Sequence, residues 1–245
     1  MSLPGYWLVV PAAGRGTRYG GGTPKQYLAL AGATVLEHAL APFLADPHLA
    51  GVVVAIDPAD RRFASLAVAR DPRVHTAPGG AARADSVEAG LGAVEALAGA
   101  AADPWVMVHD AARPLVTPVE IHLLLEALAA SADGALLGSP VIDTIKRVDA
   151  GGRVEATVDR SVLWRALTPQ AFRLRTLRRA LAAARAEGRV PTDEASAVEA
   201  LGIRPSLVPG SAANLKITTP GDLSLAEFLL GERREVLARG AEPRA

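Results

Sequence analysis

The chain has 245 residues and half of them are apolar, so it is long enough to bury a sizeable core. Lysine plus arginine and aspartate plus glutamate both number 26, and this balance argues against a protein that binds nucleic acid or membrane through bulk charge. The absence of cysteine excludes disulfides, thiolate catalysis and cysteine-ligated metal sites. There is no leader pattern and no apolar run of the ~18 residues that a membrane span needs, so we expect a cytoplasmic protein.

Short apolar runs alternate with longer helical patterns along the chain. The runs lie at residues 7–10, 52–56, 74–77, 105–109 and 135–141. They are apolar on both faces, as the strands of a buried parallel sheet are. Strand–helix alternation with short connections predicts an α/β fold, a Rossmann-like open and mostly parallel sheet flanked by helices. Because no repeat or linker interrupts the pattern, we predict one domain over residues 1–245.

Three helices have clear start signals. Thr34 is followed three residues later by Glu37, which is the spacing of a capping box. Thr117 and Glu120 repeat that spacing with a proline in the first turn, and Thr219 begins a similar pattern before the last helix. The charged tail after about Gly231 is expected to fray.

Residues 143–160 (DTIKRVDAGGRVEATVDR) interrupt the alternation of strands and helices. Alternating apolar residues on either side of Gly151 and Gly152 predict a β-hairpin. A two-stranded hairpin with so few apolar residues is marginally stable alone, so it should pack against another surface. We therefore expect a projecting arm at about 141–162 and a homodimer formed through it.

Residues 11–26 (PAAGRGTRYGGGTPKQ) form a glycine-rich, cationic loop directly after the first strand. The P-loop template fails because Lys25 lies between Pro24 and Gln26, and the dinucleotide fingerprint fails because Tyr19 stands where its last glycine should be. A third template remains, the loop with which nucleotidyltransferases that activate sugar phosphates surround a nucleoside triphosphate.

The composition of the loop suits a triphosphate. Small residues let backbone N–H groups approach phosphate oxygens, and the loop supplies them at Ala12, Ala13, Gly14 and Gly16. The charge of a triphosphate needs neutralisation, usually with Mg²⁺, and the loop supplies cations at Arg15, Arg18 and Lys25. The glycines alone would favour a solvated surface loop, but the cations directly after a buried strand favour triphosphate binding. Arg15 receives no role.

Seven further segments follow the loop in a characteristic order. They are GGAARADSV (79–87), VHDAARPL (108–115), DTIKR (143–147), TVDRSVLW (157–164), LTPQAF (167–172), TDEASAVE (192–199) and NLKIT (214–218). Together with the loop, this set resembles the 2-C-methyl-D-erythritol 4-phosphate cytidylyltransferase family of the non-mevalonate isoprenoid pathway, from residue 7 to about 230. The resemblance implies that CTP and methylerythritol phosphate react to give a cytidine diphosphate product and pyrophosphate, with Mg²⁺.

The resemblance also implies residue roles. Those implied for catalysis are Arg18 and Lys25 at the α-phosphate and the departing pyrophosphate, and Arg160 and Lys216 at the phosphate of the second substrate. Those implied for nucleotide binding are Ala12, Ala13, Gly14, Gly16, Gly80, Ser86 and Ala111. Those implied for the second substrate are Asp110, Arg113, Thr144, Thr168 and Thr192, with Asp110 also a metal ligand.

Without the resemblance, several of these residues have simpler explanations. Asp110 and Arg113 could form a structural ion pair, and Ser86 could belong to an ordinary helix start. Arg160 and Lys216 could be solvated charges.

Further residues receive structural predictions. Capping is a sufficient role for the segment that begins at Thr192. Trp105, Trp164 and Phe172 are predicted to lie in the core, and His109 to be a packed strand residue.

Other functions remain open at this point. One is cytidylyl transfer to another polyol phosphate, such as ribitol 5-phosphate. A second is a catalytically silent nucleotide-binding regulator with the same fold. A Rossmann-type oxidoreductase is disfavoured by the failed dinucleotide fingerprint.

Overall fold

The structure is a computed structural model that describes residues 2–14 and 22–240. Its strands are β1 (Tyr6–Pro11), β2 (Ala29–Leu30), β3 (Ala33–Thr34), β4 (Leu49–Ile56), β5 (Val74–Pro78), β6 (Trp105–Val108), β7 (Ala135–Pro140), β8 (Ile145–Val148), β9 (Val154–Val158), β10 (Trp164–Arg173) and β11 (Ser206–Pro209). Its helices are α1 (Val35–Leu44), α2 (Arg83–Ala98), α3 (Pro118–Ala130), α4 (Leu174–Ala186), α5 (Glu194–Glu199) and α6 (Pro220–Gly240). Short 3₁₀ turns lie at 25–27, 63–65 and 67–70. All the predicted apolar runs form strands.

A seven-stranded sheet organises the fold, in the order β11-β7-β10-β6-β1-β4-β5. Every neighbouring pair is parallel except the two that involve β10, which is antiparallel to β6 and β7. The predicted mostly parallel α/β sheet is therefore confirmed. The sequence did not predict β10 or β11. Pro169 argues against an internal strand, and β10 accommodates it with a register shift between Ala166 and Gln170.

Helices cover both faces of the sheet, as the apolar character of both strand faces requires. In β1, Leu8 and Val10 pack into a cluster with Phe43 of α1, whereas Val9 faces a second cluster with Leu91 of α2. All these side chains are fully buried. The alternation of side chains along one strand thus links two separate core layers.

The predicted capping boxes of α1 and α3 are both present. The hydroxyls of Thr34 and Thr117 accept from the backbone N–H groups of Glu37 and Glu120, whose carboxylates accept in return. The last helix also begins as predicted. It continues to Gly240, so the predicted fraying after about Gly231 is wrong for residues 231–240.

The predicted hairpin is formed by β8 and β9, which pair with each other in a separate two-stranded sheet. Gly152 lies in its turn with a φ of +77°, a conformation that favours glycine. Trp105 and Phe172 are buried as predicted. Trp164, where β10 leaves the arm, is 39% exposed, so its predicted place in the core is wrong. The single domain stays a prediction.

Within the described residues, no helix is long and apolar enough to cross a membrane.

Candidate active site

A cavity of about 720 Å³ lies where β1, β4, β5 and β6 end. Its walls include residues 11–14 at the end of β1, 57–58 after β4, 79–83 after β5 and 110–112 after β6. Parallel strands with a common direction bring these loops to one edge of the sheet, where ligands of open α/β folds bind. Lys25 and Lys216 complete the wall from more distant parts of the chain.

Most residues predicted to bind the nucleotide line this cavity. They are Ala12, Ala13, Gly14, Gly80, Ser86 and Ala111. Gly16 lies outside the described residues. Their contact with a nucleotide stays a prediction.

The turn at residues 79–86 is held tightly against the end of β1. A Cβ on Gly79 would lie 2.4 Å from the Cβ of Ala13, so only glycine allows this approach. The N–H of Gly80 donates to the hydroxyl of Ser86 at 3.1 Å, and that hydroxyl lies 3.3 Å from the carbonyl of Ala82. Ser86 therefore fixes the turn to the start of α2.

Asp110, directly after β6, is surrounded by cations. Its Oδ1 lies 2.9 Å from Nε of Arg83, and its Oδ2 lies 2.8 Å from Nζ of Lys216 and 3.5 Å from Nε of Arg113. Burial alone would raise the pKa of this carboxyl, but the neighbouring cations outweigh burial and hold the pKa well below its ordinary value. Asp110 therefore remains negatively charged and positions the ammonium group of Lys216 in the cavity.

Glu194 is a member of this charge network for which the sequence predicted no role. Its carboxylate is buried and accepts from both terminal nitrogens of Arg83, at 2.6 and 3.0 Å. Burial raises the pKa of Glu194, and the positive charge of Arg83 opposes that shift. No local pattern signals this contact, because the two residues are 111 positions apart.

The exit of the cationic loop is anchored on two sides. The ammonium group of Lys25 donates to the carbonyl of Ile217 at 3.0 Å, which places it beside the segment that carries Lys216. The buried amide of Gln26 donates to the carbonyls of Ala12 at 2.6 Å and Gly14 at 3.2 Å. The two ends of the loop are thus joined by Gln26, another residue for which the sequence predicted no role.

Three predicted residues lie behind the cavity wall or away from it. The hydroxyl of Thr168 accepts from the N–H of Asp110 at 3.1 Å and lies 3.0 Å from Nδ1 of His109. The guanidinium of Arg113 donates to the carbonyl of Asn214 at 2.7 Å. Thr192 is exposed next to the start of α5. The substrate contacts predicted for these residues stay predictions.

His109 supports the same segment, as a packed strand residue would. Complete burial lowers its pKa to about 4, so the ring is neutral near pH 7. Its Nε2 lies 3.0 Å from the carbonyl of Arg113, to which it can donate, leaving Nδ1 to accept from Thr168.

Two further predicted residues, Thr144 and Arg160, do not line the cavity. Arg18 lies outside the described residues. Thr144 and Arg160 are exposed on the hairpin arm, and the guanidinium of Arg160 donates to the carbonyl of Ile142. Neither side chain lines the cavity of its own chain.

The fit of a metal ion to Asp110 is poor in this arrangement. Both of its carboxylate oxygens contact cations, so a metal ion there would have to displace Arg83 or Lys216. Among the described residues, no group of three or more histidine, aspartate or glutamate side chains is placed to hold a metal ion. The metal role of Asp110 stays a prediction.

Known proteins of one family are similar to this chain over most of its length. The family model of 2-C-methyl-D-erythritol 4-phosphate cytidylyltransferase matches residues 6–232. A protein of that name from Ectopseudomonas mendocina is 54% identical over 219 residues, which cover 89% of this chain and 93% of the relative.

Solved structures extend the agreement to the fold. A crystal structure of 4-diphosphocytidyl-2C-methyl-D-erythritol synthase has a TM-score of 0.79 at 38% identity, covering 93% of this chain and 99% of the other. The 2-C-methyl-D-erythritol 4-phosphate cytidylyltransferase of Thermus thermophilus has a TM-score of 0.74 at 36% identity, covering 94% and 98%. The chain belongs to the 2-C-methyl-D-erythritol 4-phosphate cytidylyltransferase family.

Proposed function

We propose that this protein transfers the cytidylyl group of CTP to 2-C-methyl-D-erythritol 4-phosphate, releasing pyrophosphate, in the non-mevalonate pathway to isoprenoids. The observation that carries the proposal is the cavity at the strand ends, in which Lys25 and Lys216 line the wall beside Asp110. Its volume of about 720 Å³ suits a nucleotide.

The reaction is an in-line displacement at phosphorus. An oxygen of the methylerythritol phosphate attacks the α-phosphorus of CTP, and a new P–O bond forms while the bond to the β-phosphate oxygen breaks. The bonding electrons leave with pyrophosphate. The attacking oxygen is already deprotonated, so the protein needs no nucleophile of its own and acts by positioning and charge stabilisation.

The cavity lysines supply positive charge on two sides. Lys25 comes from the exit of the loop that we expect to surround the triphosphate, and it stabilises charge at the α-phosphate and on the leaving pyrophosphate, together with Arg18. Lys216 orients the attacking phosphate, and its contact with Asp110 at 2.8 Å fixes the ammonium group beforehand. Preorganised cations of this kind act where charge develops in the transition state.

Mg²⁺ belongs to the same proposal as part of the substrate. We infer that it enters with CTP, held by phosphate oxygens, because the oxygens of Asp110 already contact cations. The ion would reduce the charge on the triphosphate, and the protein residues would then bind and orient the resulting complex.

A homodimer formed through the arm is also proposed. The arm and its base expose large apolar side chains to solvent, at Ile142, Val148, Val154, Val162 and Trp164. A second copy would cover them and would offer a site to Thr144 and Arg160, which do not line the cavity of their own chain. We also propose a cytoplasmic location.

Product analysis tests the assignment. Purified protein is incubated with CTP and Mg²⁺ and either methylerythritol phosphate or ribitol 5-phosphate, and pyrophosphate and the cytidine diphosphate product are measured. We expect turnover with methylerythritol phosphate and at least a hundredfold lower kcat/KM with ribitol 5-phosphate. The reverse order would move the substrate to another polyol phosphate, and CTP binding without turnover on either would indicate a silent regulator.

A further inference from the structure

A buried carboxylate destabilises the folded protein unless it is paired, and Glu194 is a buried carboxylate outside the cavity. Its side chain is 2% exposed, and burial disfavours its charged form. The carboxylate does not line the main cavity, so direct contact with substrate does not explain it. Its partner Arg83 is the residue that connects it to the cavity.

Arg83 bridges two carboxylates with different atoms of one guanidinium. Its terminal nitrogens are both occupied by Glu194, at 2.6 and 3.0 Å, and its Nε is left for Oδ1 of Asp110 at 2.9 Å. The planar fork of arginine fixes the angle between these contacts. As long as Glu194 occupies the fork, Arg83 can approach Asp110 only from the Oδ1 side.

This arrangement leaves Oδ2 of Asp110 available to side chains that line the cavity. Lys216 lies 2.8 Å from that oxygen, with Arg113 farther away at 3.5 Å. Without the charge of Glu194, the fork of Arg83 is free to turn and bind both oxygens of Asp110. It would then compete with Lys216 for Oδ2.

The position of Glu194 is itself fixed by the sheet. Gln170 of β10, which is buried, accepts from the N–H of Ala195 at 2.8 Å and donates to the carboxylate of Asp193 at 2.9 Å. These bonds hold the first turn of α5 against the internal antiparallel strand. The glutamate is therefore presented to Arg83 from a rigid support.

We propose that Glu194 is a positioning residue for cytidylyl transfer, holding Arg83 so that Asp110 keeps one carboxylate oxygen for Lys216. This inference rests on the proposed function, in which Lys216 orients the phosphate of the second substrate. It acts through Arg83 and Asp110 and touches no reacting atom. Its loss should therefore affect the use of methylerythritol phosphate more than the use of CTP.

The test compares Glu194→Gln with Glu120→Gln. Glu120 is also buried, but its carboxylate caps α3 and accepts from the N–H of Ser211, so it controls for the loss of a buried charge. We expect Glu194→Gln to lower kcat/KM for methylerythritol phosphate at least tenfold. The fold-loss in kcat/KM for CTP should be at least three times smaller. Glu120→Gln should keep both within twofold of the wild type.

Two results would overturn the inference. One is a loss no greater than that of Glu120→Gln, and the other is an equal loss for both substrates. If Glu194→Gln does not fold, Arg83→Lys carries the same test, because one ammonium group keeps the charge but cannot hold both carboxylates in the same geometry.

A crystal structure of the variant separates this inference from the proposed function. In Glu194→Gln we expect Nζ of Lys216 to lie beyond hydrogen-bond distance of Asp110, with the fork of Arg83 turned to that carboxylate. An unchanged contact between Lys216 and Asp110 would refute the inference even in an active enzyme. An inactive wild type would refute the proposed function, but the contact between Lys216 and Asp110 in the variant structure would still test this inference.

Discussion

Asp110 carries one negative charge that faces Arg83, Arg113 and Lys216. Removal of that charge leaves several cations together in a largely buried place. The resulting loss of stability is larger than the net stabilisation that the ion pairs provide. We expect Asp110→Asn to lower the free energy of unfolding by about 3–5 kcal/mol, as measured by urea denaturation.

A more exposed pair provides the control for that measurement. Asp71 and Arg73 lie 2.8 Å apart but with a quarter and a third of their side chains exposed. Asp71→Asn should cost less than about 1 kcal/mol, because solvent screens the pair. Equal losses in the two variants would mean that Asp110 does not balance the buried cations.

Lys25 is the described cation that we place nearest to the reacting phosphorus. Its removal should lower kcat by about 10²–10³-fold, the effect of losing one preorganised group that stabilises transition-state charge. Steady-state rates of pyrophosphate release measure this effect, and circular dichroism checks the fold. Arg204→Ala, at an exposed arginine outside the cavity, is the control and should retain full turnover.

His109 predicts a pH dependence of stability. Its pKa is about 4 in the folded protein against an ordinary value of 6.5, so the unfolded chain binds a proton between those values that the folded protein does not. The free energy of unfolding should therefore fall as pH falls from about 6.5 to about 4, by on the order of 3 kcal/mol. Urea denaturation at several pH values measures this slope. His109→Gln should be less stable at pH 7 but should lose this part of the slope, and an unchanged slope would contradict the account.

At the scale of elements, the two ends of the cationic loop depend on Gln26. Its amide donates to the carbonyls of Ala12 and Gly14 from the 3₁₀ turn at 25–27. Gln26→Glu would place a carboxylate against those carbonyls and leave them without a donor. We expect a loss of about 1–3 kcal/mol in stability and at least tenfold weaker binding of CTP with Mg²⁺ by calorimetry.

The control for Gln26 is a cap that is remote from the loop. Thr117→Ala removes the hydroxyl that caps α3 and should cost about 1 kcal/mol without changing CTP affinity. Normal CTP affinity in Gln26→Glu would show that the loop ends do not need this connection.

Local signals explain which elements the sequence predicts. Fully apolar runs and capping boxes are properties of neighbouring residues, so β1, β4, β5, β6, β7 and the starts of α1, α3 and α6 are confirmed. Strand β10 contains Pro169, and its place in the sheet depends on β6 and β7 on either side. Trp164 is exposed because it lies at the base of the arm, at the first position of β10.

The candidate site was predicted to a similar extent. Motif residues that follow the strand ends, such as Ala12, Gly80 and Asp110, line the cavity because the fold brings those ends together. The contact between Arg83 and Glu194 could not be predicted in this way, since it joins α2 to α5 across 111 positions. Thr144 and Arg160 are exposed on the arm, and their contacts with substrate stay predictions.

At the scale of the whole molecule, the exposed apolar arm predicts a dimer. A double variant that carries Val154→Asp and Val162→Asp should associate more weakly. It replaces by charged groups two apolar side chains that are 63% and 77% exposed in the single chain. Sedimentation velocity should show a dimer for the wild type and a monomer for the variant, with turnover lost in parallel. A wild-type monomer with full activity at the same concentration would refute the dimer and the shared site.

The central claim is cytidylyl transfer to methylerythritol phosphate. The most direct measurement is the initial rate of pyrophosphate release from CTP and methylerythritol phosphate with Mg²⁺, in the wild type and in Lys25→Ala. We predict a wild-type kcat in the usual range for enzymes, about 1–10³ s⁻¹, with at least a hundredfold loss in the variant. A wild-type rate no higher than that of Lys25→Ala would contradict the account.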